Sequence, residues 1–152
     1  MKDYLVKLET EISKVAEKLK LLNYNVEKVS ADELYIYLTC DTPTGDTTTL
    51  DDVLSNEYLM IHEVVEVSEL KKMNVPINER TIMEYYPEVY EAHLTAVDYE
   101  LTYALINKDY EWIKRRLSYA FIFSPAEGYQ HLQLKLTHKV RPILEKFSRD
   151  LR

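Results

Sequence analysis

Glycine is almost missing from this chain, with two in 152 residues, Gly45 and Gly128, beside five prolines. A protein of many strands needs frequent tight turns, which draw on both residues, so the shortage excludes a many-stranded β fold and points to helices. It also disfavours glycine-rich phosphate loops and doubly wound nucleotide folds. The one cysteine, Cys40, cannot close an internal disulfide, and no apolar run follows a basic start. The expected compartment is therefore the cytoplasm. Long apolar runs are lacking too: Ala120-Phe-Ile-Phe123 is short and bounded by polar residues, far from the roughly 20 residues that cross a bilayer. No membrane association is expected.

What is present fits one globular domain over residues 1–152, with 46% hydrophobic and 30% charged residues and enough length to bury a core. The net charge of −7 is uneven. Residues 1–109 hold 10 Lys and Arg against 22 Asp and Glu, whereas residues 110–152 hold 9 against 4. Such polar ends can orient a partner or a second copy of the chain in a homo-oligomer, although a solvated basic helix is the simpler reading. The basic stripe is too short to favour nucleic acid. Thirteen tyrosines against three phenylalanines stand out.

Leu5, Leu8, Ile12, Val15, Leu19 and Leu22 recur at spacings of three and four, which predicts a helix over residues 3–22 with one apolar stripe. The β-branched and aromatic runs Asn25–Val29 and Glu33–Thr39, separated by Ser30-Ala-Asp32, predict a small β hairpin over 25–39. Cys40–Thr47 reads as a loop. Thr49 with Asp52 opens a helical region reaching about Met73, with a break near Ser55-Asn56 and a stop at Asn74-Val-Pro76. Asn78 is expected to cap a short helix over Glu79–Tyr85, and Pro87 to open a helix ending at Asn107. Asp109 then caps a helix to about Phe123, and Ser124-Pro-Ala-Glu127 opens a last helix kinked by Pro142. The expectation is a mainly α bundle of about five to six helices plus the hairpin.

Two of these helices carry candidate chemistry. At about 100° per residue, His93 and Glu100 fall in the apolar half of their helix with Val89, Ala96, Val97, Leu101 and Ala104, away from its polar face. A carboxylate buried there needs a proton, a hydrogen bond, an ion pair or a metal. On the earlier helix, apolar residues cover most of the circumference and leave one narrow stripe of His62, Glu66 and Glu69. Should the two helices meet, His62, Glu66, His93 and Glu100 supply nitrogen and oxygen donors for one divalent ion, Zn, Mn, Fe or Ni. No organic cofactor is expected, and the substrate is left open. The plainer alternative is an internal His/Glu hydrogen-bond network beside a solvent-facing stripe.

His131 and His138 lie opposite the apolar face of the last helix and are expected to be exposed. Arg116 sits on an apolar face, from which its guanidinium either snorkels to solvent or reaches a buried carboxylate. Tyr85, Tyr86, Tyr90, Tyr99 and Tyr103 either line a pocket or pack the core.

His62-Glu-Val-Val-Glu66 is similar to the zincin H-E-x-x-H helix, with glutamate in place of the second histidine. That likeness implies His62 and Glu66 as ligands and Glu63 as the base that activates water. Glu63-x-x-Glu66 resembles half of the Mg-binding pattern of all-α nucleotide pyrophosphohydrolases, but Thr95 stands three residues before Asp98, where the second half requires glutamate. The segments from His62 to Lys72 and from Val89 to Ala96 together resemble a group of uncharacterised archaeal helical proteins, a likeness that implies no activity. The leading expectation is a His/carboxylate metal site, extending to a metal-dependent hydrolase with Glu63 or Glu69 as base. The alternative is a noncatalytic interaction or oligomerisation module secured by a buried His/Glu network.

Overall fold

The computed structural model describes residues 2–40, 49–122, 141–143, 145–146 and 149. Seven helices follow in chain order: α1 (Lys2–Leu21), α2 (Ala31–Thr39), α3 (Leu50–Leu54), α4 (Glu57–Lys72), α5 (Thr81–Glu84), α6 (Tyr86–Ile106) and α7 (Tyr110–Ile122). Helical backbone recurs at 141–143. The Cys40–Thr47 loop beyond Cys40, the start of the expected last helix at Ser124, and His131 and His138 lie outside the described residues.

α4 is the central helix. Its buried residues run nearly all round it, including Met60, Ile61, Val64, Val65, Val67 and Leu70, as expected of a helix enclosed on every side. α1, α2, α3 and α6 pack against it. α6 runs antiparallel to α4: Tyr58 packs on Tyr103 near one end of the pair, and Glu66 reaches His93 further along. On α1 the stripe read from the sequence supplies Leu8, Val15 and Leu19, all sealed from solvent.

The hairpin expected over 25–39 is not formed, and no strand occurs among the described residues. Ser30 is not a turn between strands but a helix cap. Its Oγ accepts from Glu33 N at 3.1 Å, while Glu33 Oε1 accepts from Ser30 N at 3.0 Å. This reciprocal pair satisfies two amides that helix initiation leaves open. The helix then buries Leu34 and Tyr37, whereas a hairpin would have had no third strand to shield its apolar face. The tyrosines and isoleucine that suggested a strand express β-propensity only in a pleated environment. Residues 25–29 stay irregular and are tied down on α4, with Glu27 N donating to Ser68 Oγ at 2.8 Å and Lys71 Nζ donating to the Lys28 carbonyl.

Other boundaries follow the caps. Thr49 and Asp52 form a second reciprocal box, and Asn56 Oδ1 accepts from the amides of Tyr58 and Leu59. Asn78 accepts from Arg80 N and donates its own N–H to Thr81 Oγ1, so the short helix begins at Thr81 rather than Glu79. Helices α1, α4 and α6 end alike, at Asn23, Asn74 and Lys108 with φ near 60°. In each, the following amide turns back to a carbonyl of the last turn: Tyr24 to Leu19, Val75 to Leu70, Asp109 to Ala104. Such left-handed caps satisfy carbonyls that the helix leaves unpaired.

Candidate metal centre

The seam between α4 and α6 brings together the two segments singled out by their histidines. His62 and Glu66 are one turn apart on α4, and both are buried, at 3% and 6% exposure. The stripe they form faces α6, not solvent. From α6, His93 Nδ1 stands 3.1 Å from His62 Nε2 and 3.5 Å from Glu66 Oε1, while His62 Nε2 lies 3.9 Å from Glu66 Oε2. The three residues offer ligand atoms that all lie within 4.8 Å of one another. Donors about 2.0–2.1 Å from a shared ion stand between about 2.9 Å (octahedral) and about 3.3 Å (tetrahedral) apart. The two nitrogens already meet that spacing, and the two Glu66 oxygens stand somewhat wider, at 3.5 Å from His93 and 3.9 Å from His62. The His93 side chain is 38% exposed, so the site has one open edge.

Glu100 takes a different place from the one expected. It lies on the far side of the His62 ring, with Oε1 2.8 Å from Nδ1, and it is fully buried. Trp112 Nε1 donates to Oε2 at 2.8 Å, and Arg116 donates to Oε2 at 2.7 Å and to Oε1 at 3.0 Å. Burial opposes ionisation, but the hydrogen bond from His62 and the Arg116 charge outweigh it and hold this carboxyl at about 2. An ionised carboxylate only accepts hydrogen bonds, so His62 Nδ1 donates to it, and in the neutral imidazole Nε2 is the nitrogen left with a lone pair toward His93 and Glu66. Glu100 thus fixes the tautomer and ring orientation that a metal-binding histidine needs. Arg116 reaches the buried carboxylate, the less ordinary of its two expected destinations.

The two carboxylates considered as bases separate. Glu69 accepts from Tyr24 Oη at 2.5 Å and pairs with Lys72 Nζ at 3.1 Å, which ties it to the outer side of α4 and away from the His62–His93 contact. Glu63 hydrogen-bonds with Glu66 and stays at the site. Burial pushes the Glu66 carboxyl upward, yet the hydrogen bond with His93, the His62 and His93 charges and Glu63 together hold it below the ordinary carboxylate range. Asp98, the second half sought for the pyrophosphohydrolase pattern, is not among the grouped residues.

Two contributors were invisible as site residues in the sequence. Trp112 reaches Glu100 from α7, and Tyr37 comes from α2 in the segment read as a strand. Burial, then the neighbouring Glu66 and Glu63 carboxylates and a hydrogen bond with Glu66, push the Tyr37 phenol well above its usual pKa. Of the tyrosines expected near a pocket, Tyr90 approaches the His93 ring edge-on at 6.3 Å and Tyr86 packs on Tyr90. Tyr99 and Tyr103 instead pack against Tyr24 and Tyr58.

Fold and site together define a mainly helical protein whose two central helices hold a buried His/Glu group able to bind a metal ion. No protein-family model, curated protein or solved structure matches the chain.

Proposed function

We infer that this protein binds one divalent transition-metal ion through His62 Nε2, His93 Nδ1 and Glu66. The observation that carries the reading is convergence: three potential ligands from two helices lie within 4.8 Å of one another, with Glu100 behind His62 Nδ1, the contact that favours the ligating tautomer. Two histidines and one carboxylate suit zinc in a site with an open fourth position, and equally a non-haem ferrous ion. The open edge at His93 and the proximity of Glu63 favour a metal-assisted hydrolase, in which Glu63 acts as the base once the proton it shares with Glu66 has left. Glu69 has no part in that reading.

A noncatalytic alternative has one specific support. The 3.1 Å contact between His62 and His93 is itself a satisfied hydrogen bond, and such a network can secure a helix seam without an ion. Titration of chelator-stripped protein with Zn²⁺ or Co²⁺ separates the two. The metal reading expects one equivalent bound and at least tenfold weaker binding in His93→Ala. Equal and negligible metal in wild type and in the His62→Ala/His93→Ala double variant rejects it. A screen of phosphoesters, nucleotides and peptides with loaded protein then tests hydrolysis, and uniform inactivity rejects that extension.

A further inference from the structure

α7 packs chiefly on α6, where it buries Ile113 and stacks Trp112 on Tyr58 with ring centres 5.1 Å apart. Trp112 and Arg116 lie one turn apart on α7, so their side chains share a face, and the guanidinium stands 5.8 Å from the indole centre. Both reach Glu100. A carboxylate has about four acceptor sites, two on each oxygen, and all of them are taken. Oε1 accepts from Arg116 Nη2 and meets His62 Nδ1, while Oε2 accepts from Arg116 Nε and Trp112 Nε1. Balancing the charge of Glu100 would need only a cation. The Arg116 fork does more, because bonds to both oxygens fix the plane of the carboxylate, and that plane sets where the His62 ring can lie.

We propose that Arg116, with Trp112 beside it, is a positioning residue for the metal site: its two-pronged grip on Glu100 sets the orientation of the His62 ring and makes α7 a third helix on which metal affinity depends. This rests on the metal reading above and adds to it residues that never touch the ion. The relay runs from Arg116 through the Glu100 carboxylate to His62 Nδ1. From there it crosses the ring to Nε2, the nitrogen that faces His93 at 3.1 Å. A turn of the carboxylate out of its present plane would break bonds to α7 and to His62 together, so the ring keeps its pose only while the fork holds.

Arg116→Lys keeps the positive charge and loses the fork, which makes it the decisive variant. Titrated with Co²⁺ at a temperature where both proteins are folded, and followed by the visible cobalt bands, it is expected to bind about tenfold more weakly than wild type. In the metal-free variant, long-range ¹H–¹⁵N spectra are expected to show His62 losing its preference for a proton on Nδ1, a change that a purely structural arginine would not cause. Trp112→Phe keeps an aromatic ring and removes the other donor to Oε2. It is expected to weaken cobalt binding in the same direction, and it carries the test if Arg116→Lys does not fold. Equal cobalt affinity in wild type and the folded variants overturns the proposal and leaves the metal site standing, whatever their melting temperatures. A His62 that keeps its Nδ1 proton unchanged in Arg116→Lys overturns it as well. A wild type that takes up no cobalt rejects this positioning role and the metal reading together.

Discussion

A single carboxylate organises the chemistry of the site from behind. Glu100 is buried on every side, yet it stays ionised because His62, Trp112 and Arg116 direct four hydrogen bonds at it. Its folded pKa of about 2 lies below the ordinary 4.5, so the unfolded chain takes up the proton first as pH falls. Stability from this group is complete above about pH 4.5 and is lost as pH drops toward 2, a contribution on the order of 3 kcal/mol at neutral pH. Chemical denaturation across pH 2–7 should therefore show a slope between pH 4.5 and 2 that Glu100→Gln reduces. The same variant should weaken Zn²⁺ or Co²⁺ binding by roughly 10–100-fold, because His62 loses the acceptor that fixes its tautomer. Unchanged metal affinity in a folded Glu100→Gln protein would mean that Glu100 serves the fold alone. The choice of a buried carboxylate was legible in helical phase. Its role was not, because Arg116 and Trp112 approach it from another helix.

At the scale of elements, caps decide more than propensity does. The Ser30/Glu33 box starts α2 in a stretch whose Tyr, Ile and Thr content argues for a strand. Ser30→Ala should lower stability by about 1 kcal/mol and the melting temperature by about 3 °C. No change would show that packing of Leu34 and Tyr37 suffices to hold the helix. At the end of α6, Lys108 adopts φ of 57°, a conformation in which a Cβ crowds the backbone. Lys108→Gly should accordingly raise the denaturant midpoint, by about 0.5–1 kcal/mol in stability. A decrease would show that the entropy gained by the unfolded chain outweighs the relief. The Thr49 and Asp109 starts and the Asn74 stop were readable because each signal is local. Ser30 carried the same kind of signal, and β-rich neighbours masked it.

Over the whole molecule, the proposed ion ties α4 to α6, the pair on which the other elements pack. Ligand at about 100 times its dissociation constant stabilises a fold by about 2.7 kcal/mol, or roughly 5–10 °C in a protein of this size. Saturating Zn²⁺ should raise the melting temperature by that amount in wild type and leave His93→Ala unmoved. An equal rise in both proteins would place the ion elsewhere. The sequence by itself determined the helical class, the apolar faces, most helix ends and the grouping of His62 with Glu66, since each rests on spacings within one or two turns. Only the tertiary structure decided that His93 lies at the open rim and that Glu100 backs His62 from outside the His62–Glu66–His93 group. It also decided that Arg116 turns inward and that Tyr37 reaches the site from α2. Those outcomes depend on how helices far apart in sequence rotate and cross when their apolar faces pack, and helical phase places a side chain on its own helix without naming the neighbour it meets.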